Sequence, residues 1–228
     1  MSRGRAPTVA VALSLIAGCV AQTPPVVDFS AIPRDYASDD YHTVYERWTR
    51  HEKVTHQTES VLEVWATFKS RDYREGFVAH YAEAYSLNAA DREALVQSQR
   101  EAADGYYEFL LTAQSANYRW NDLEKKSSPW RVTLVDGSGN EITPEEFKVE
   151  KLPDMFEREF FPVKTPFTKT YLARFARAGG KDESFAGDRT GVITLRLAGP
   201  LGHADMTWAG RGARLVAPHA HPAGAASK

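Results

Sequence analysis

Few residues in this chain have the types and spacing that chemistry requires. His51-Glu52-Lys53-Val54-Thr55-His56 comes nearest to the zinc-hydrolase motif H-E-x-x-H. In that motif two histidines four apart share one helix face and one ion, and the glutamate activates water. Here they are five apart, about 500° round a helix and opposite faces of a strand, so regular structure separates them. His80 and Glu83 are three apart; on a helix they are neighbours, and a carboxylate can orient an imidazole for acid-base work. They are the one candidate catalytic pair. Asp136, Ser138 and Asn140 imitate the first ligands of a calcium loop, but Glu141 stands where an EF-hand needs glycine and Phe147 where it needs a bidentate glutamate. That stretch reads as a turn. Asp182, Glu183 and Asp188 form an acidic loop whose ordinary role is solvation, and His203 with Asp205 share a strand face without a third partner. His219 and His221 fall in a tail rich in alanine, glycine and proline, which supports only a weak metal site. No G-x-S-x-G elbow, phosphate-binding glycine loop or dinucleotide fingerprint occurs. The residues imply no metal and no cofactor.

The start of the chain has a clearer reading. Arg3 and Arg5 precede an apolar run over residues 8–18 that ends Leu15-Ile16-Ala17-Gly18-Cys19. A positive start followed by a short apolar stretch is the pattern of a secretory signal. The run is roughly half the ~20 residues a permanent span needs. Ile16-Ala17-Gly18-Cys19 resembles the lipobox of bacterial lipoproteins. The resemblance implies cleavage before Cys19, a diacylglyceryl group on its thiol, and acylation of the new amino terminus. Two or three chains anchor stably where one does not. The resemblance also implies a place in the bacterial cell envelope, with the outer membrane favoured in a Gram-negative source because Val20, not aspartate, follows the cysteine. Arg3 and Arg5 are split by Gly4, so no twin-arginine signal is present.

Cys19 is the only cysteine, so once lipidated it leaves no disulfide and no thiol nucleophile. The formal net charge is -2, and loss of Arg3 and Arg5 makes it two units more negative. The longest basic run is Lys125-Lys126, which excludes nucleic acid as a natural partner. After the signal segment (1–18), residues 19–40 carry prolines at 24, 25 and 33 and read as a tether. A single globular domain is expected over 41–210, and a disordered tail over 211–228.

Within that domain, residues 61–68 are rich in β-branched and aromatic side chains and predict a strand, with residues 45–57 as its hairpin partner. Tyr73, Phe77, Tyr81 and Tyr85 stand four apart, an aromatic stripe on a helix. Asn88 reads as the N-cap of a second helix over 89–104, buried along Leu95, Gln99, Ala102 and Ala103 and ended by Gly105. Alternating runs at 107–116, 130–135, 147–149, 171–175, 193–197 and 204–208 predict seven or eight short strands in all, with turns at 136–140 and 199–202. The expected fold is mainly β: an antiparallel, immunoglobulin-like β-sandwich with a two-helix insertion. The alternative is an α+β fold with both helices on one sheet.

Residues 41–208 are similar to uncharacterised bacterial lipoproteins in phrases such as Trp120-Asn121-Asp122-Leu123-Glu124-Lys125-Lys126 and Phe160-Phe161-Pro162, a likeness that implies no activity. An anchor, a tether and a motif-poor sandwich together lead to one expectation: a non-enzymatic envelope module that binds a protein or glycan. The alternative is an envelope hydrolase or small-ligand-binding protein that uses a cleft between the helical insertion and the sheet.

Overall fold

The fold is that of a computed structural model, which describes residues 24–30, 32–162, 165, 167–177, 185 and 187–213. The signal segment with Cys19, Asp182, Glu183, His219, His221 and the side chain of Asp188 lie outside the described part.

The chain forms the expected mainly β sandwich. One antiparallel sheet runs β1 (Thr49–His56), β2 (Glu59–Phe68), β3 (Tyr106–Gln114), β7 (Lys169–Ala176) and β6 (Glu146–Val149). The other runs β5 (Glu141–Ile142), β4 (Arg131–Asp136), β8 (Val192–Gly199) and β9 (Gly202–Ala209). Two sheets rule out the single-sheet alternative. They face each other through aromatic side chains: the Trp208 ring lies 5.9 Å from Phe68 and 5.3 Å from Phe109. β8 and β9 alternate as their sequences require, with Ile193, Leu195, Leu197, Ala204, Met206 and Trp208 buried. β3 is buried without a break from Tyr107 to Ala113 because both of its faces are covered. At the open edge, Arg50 of β1 donates from Nε to the Thr207 carbonyl of β9 at 2.8 Å, joining the two sheets.

The expected insertion lies between β2 and β3 and consists of α2 (Arg71–Ala84) and α3 (Ala89–Gly105). Ser70 caps α2 by accepting from the Tyr73 N–H, and Asn88 caps α3 by accepting from the Asp91 N–H at 3.0 Å. Between them Ser86 takes a φ of 50°. The Ser86 N–H then reaches the Glu83 carbonyl, and the Leu87 N–H reaches that of Ala82. This pair of bonds closes a helix C-terminus and turns the chain back in two residues.

Three elements correct the sequence reading. β1 does pair with β2, but residues 41–48 are helix α1 (Tyr41–Trp48), because Tyr41, Val44, Tyr45 and Trp48 recur at helical spacing and bury one face. Helix α4 (Asp154–Phe160) was not expected; it begins after Pro153 with Asp154 and Glu157 in its first turn. A short helix α5 (Gly187–Thr190) precedes β8. The stretch expected to act as tether is docked from Val27 onward: Val27 is 3% exposed, and its N–H donates to the Ala209 carbonyl at 3.0 Å. Phe29 packs edge-on to Trp48, with ring centroids 5.9 Å apart. Val27 and Phe29 find apolar surface to bury, so residues 24–30 and 32–40 form a strap.

Candidate functional site

Asp72, in the first turn of α2, ties the strap down. It accepts from Tyr36 Oη at 2.5 Å and from Trp48 Nε1 at 2.7 Å, and it pairs with Arg47 at 3.1 Å and Arg34 at 3.3 Å. All four partners come from the strap or α1, so one buried carboxylate fixes where residues 33–36 cross the helical insertion.

A second buried carboxylate fixes the base of α2. Glu108 of β3 is 2% exposed and lies among Lys69, Arg74 at 3.2 Å and Arg174 at 2.7 Å. The three cations hold its carboxyl at about 2 against burial, which alone would raise it. Burial among arginines in turn lowers the Lys69 ammonium. The Arg74 guanidinium continues outward and donates to Gln99 of α3 at 2.5 Å.

Above Arg74, α2 and α3 do not close on each other. A cavity of about 280 Å³ lies between them and strap residues 33–36, at the lower edge of the roughly 300–1,000 Å³ typical of ligand sites. Its apolar wall includes Val78, Ala79, Val96 and Ala103. Its polar groups include five arginines, at 34, 71, 74, 92 and 100, against the carboxylates of Asp35, Glu75 and Asp104. Half of these charges are in ion pairs: Arg71 with Asp104, Arg74 with Glu108, and Arg34 with Asp28 and Asp72. Glu75 accepts from the Arg34 backbone N–H at 2.7 Å, and burial raises its carboxyl above the ordinary value. Arg92 and Arg100 make no side-chain hydrogen bond or ion pair among the described residues. The expected burial of α3 along Leu95, Gln99, Ala102 and Ala103 is confined to Ala103; the others are only half-covered, because the cavity occupies the place a packed face would take.

His80 and Glu83 share α2 but form no hydrogen bond or ion pair with each other. Glu83 is exposed, and His80 instead binds Glu159 of α4 through Nε2 and Ser38 Oγ through Nδ1, both at 2.9 Å. Its ring lies flat on Tyr41 at 4.9 Å. Serine, histidine and glutamate thus stand in line, but with the ring nitrogens exchanged relative to a serine-hydrolase triad, where the hydroxyl meets Nε2. None of the three lines the cavity. His51 stacks on Trp65 at 4.5 Å and pairs with Glu63 at 3.0 Å, while His56 sits opposite Glu59 at the far end of β1. Asp136 accepts from the Ser138 and Asn140 N–H groups, each at 2.9 Å, as the turn reading requires. His203 lies 3.9 Å from Asp205, whose carboxylate is held by Arg196 through two bonds of 2.8 Å. No group of three or more potential metal ligands forms among the described residues, and no described helix is long and apolar enough to cross a membrane.

No family model matches this chain, and no curated protein matches it. A solved structure from Burkholderia pseudomallei, described as a novel protein of unknown function, is similar to it over 77% of this chain and 92% of the neighbour's own. The identity is 13% and the TM-score 0.38. A likeness at that level carries no argument about this chain.

Sequence reasoning missed the arginine-lined cavity. Its residues come from the strap, α2 and α3, and no motif joins them. The available signal was Arg92, Val96 and Arg100 at steps of four, where a packed helix would present apolar residues.

Proposed function

We propose that this protein is an exported, lipid-anchored component of the bacterial cell envelope that works by non-enzymatic binding, with the cavity beside α3 as its ligand site. The carrying observation is the cavity itself, a concave space with an apolar wall and five arginines in its lining next to a helix that buries one residue of seventeen. The anchor is supported by the lipobox-like Ile16-Ala17-Gly18-Cys19. The strap holds the domain's entry point beside the site, so a lipid on Cys19 keeps that site near the membrane surface. A cavity this small favours a small molecule over a protein or glycan chain.

Intact mass and membrane fractionation test the anchor. The wild type is expected to carry acyl mass and sediment with membranes, and a Cys19→Ala variant to lose both. A soluble, unlipidated wild type would contradict the anchor.

The Ser38, His80 and Glu159 alignment favours a second reading, an envelope hydrolase. A fluorophosphonate probe decides between them: covalent labelling at Ser38, abolished by Ser38→Ala, would establish the hydrolase. Our reading expects none, because Nδ1 faces the hydroxyl and none of the three residues lines the arginine-rich cavity.

A further inference from the structure

We propose that the cavity between α2, α3 and the strap binds a small, freely diffusing oxyanion, a phosphate or carboxylate, carried on a short apolar body, and that Arg92 and Arg100 grip the anion. This rests on the reading of that cavity as a ligand site. Three of the five arginines lining it are held in short ion pairs by carboxylates; Arg92 and Arg100 are not, Arg100 acting on Glu75 only at longer range. The chain as a whole has net charge -2, yet five arginines and only three carboxylates line this space.

Arg92 and Arg100 stand two turns apart on one side of α3, about 12 Å along its axis, with Val96 between them. Guanidinium groups match phosphate and carboxylate oxygens with paired donors, so two forks in the cavity lining on either side of Val96 suit one oxyanion better than one ammonium would. Below them, Val78 and Ala103 are buried at 4% and 0% exposure and supply an apolar floor for the rest of the molecule. The volume of about 280 Å³ admits a ring-sized body and excludes a complete lipid. The rule that a packed helix buries an apolar face is broken along α3, which buries Ala103 alone, and such breaks concentrate at functional sites.

Isothermal titration of phenyl phosphate into the full chain tests this. The protein is held in phosphatidylcholine nanodiscs with empty discs as blank, or used in buffer if the Cys19 experiment finds it soluble. One site is expected, with affinity falling as salt rises. An Arg92→Gln/Arg100→Gln double variant should bind at least about tenfold more weakly. Phenol and inorganic phosphate should each fall short of phenyl phosphate by a similar factor. Val96→Phe, which fills the cavity without touching charge, should block binding while leaving the thermal unfolding midpoint near that of the wild type.

Absence of binding at millimolar phenyl phosphate overturns the inference, as does equal binding by the double variant. Phenol binding as well as phenyl phosphate would leave an apolar pocket only, and equal inorganic phosphate a plain anion site; either overturns it. Competition from phosphatidylglycerol added to the discs would overturn the free-molecule assignment in favour of a lipid headgroup. Release of phosphate during the titration would instead overturn the non-enzymatic reading and leave dependence on Arg92 and Arg100 standing.

Discussion

Helix α2 has two sides that solve the same problem differently. Toward α1 and α4 it is sealed by aromatic packing: Phe77 lies 5.2 Å from Phe160 and 6.5 Å from Tyr41, and the Tyr41 hydroxyl reaches Tyr73 at 2.9 Å and the Phe160 carbonyl at 2.7 Å. Gly76 lets α1 approach so closely that an added Cβ would stand 3.1 Å from Val44. Toward α3 the helix is open, and arginines replace the rings. Burial of apolar surface holds the first side together. The second side is positioned from its ends, by the Ser70 and Asn88 caps, by Gln99 bound to Arg74, and by Glu108 beneath. The difference teaches that one helix can serve as core on one side and as the wall of a site on the other, provided that its attachment does not depend on the open side.

Breaking the packed side should have the largest effect. Phe160→Ala removes a ring that is 1% exposed and is expected to cost about 3–5 kcal/mol in urea unfolding. A cost below about 1 kcal/mol would show that α4 is not part of the core.

Removing the support beneath the open side should cost nearly as much. Glu108→Gln leaves Lys69, Arg74 and Arg174 around a neutral group, and losing one member of a buried ionic cluster costs about 3–5 kcal/mol. Because the Glu108 carboxyl is depressed from 4.5 to about 2, its contribution is fully present above about pH 4.5 and fades as the pH falls toward 2. Urea midpoints measured between pH 6 and pH 2 should therefore fall less steeply in Glu108→Gln than in the wild type; parallel curves would contradict the assignment.

The smallest effect on stability sharpens the comparison most. Arg92→Gln/Arg100→Gln should change unfolding free energy by less than about 0.5 kcal/mol, since neither side chain has a hydrogen bond or short ion pair among the described residues to lose and Arg100 reaches Glu75 only through longer-range attraction. A large destabilisation would mean that these arginines hold α3 in place and are not kept free for a ligand.

The packed side was legible in the sequence and the open side was not. Tyr73, Phe77 and Tyr81 announced a helix face because burial leaves a period, and the alternation in β8 and β9 did the same for the sheets. The Asn88 cap was readable because capping is a local hydrogen bond. Helix α1 was missed although its apolar residues have helical spacing, because the hairpin partner of residues 61–68 was read as beginning at residue 45, four residues before strand β1 starts. His80 was assigned the wrong carboxylate: Glu83 is near in sequence, but Glu159 arrives on a helix 79 residues away. The cavity is of this second kind. Arg34, Arg74 and Arg100 meet only after the strap, the Ser86 turn and the Glu108 cluster have placed their elements, and tertiary placement of that sort has no sequence period.

Amide hydrogen exchange along α2 and α3, with and without phenyl phosphate, tests most directly the claim that the open side of α2 is a binding site. In the free protein the amides of α3 should exchange well before those of α2, and saturating phenyl phosphate should slow α3 in the wild type but not in Arg92→Gln/Arg100→Gln. If α3 is already as protected as α2, or if the ligand leaves its exchange unchanged, the space between the helices is a packing defect and the account of this protein as a ligand-binding module is wrong.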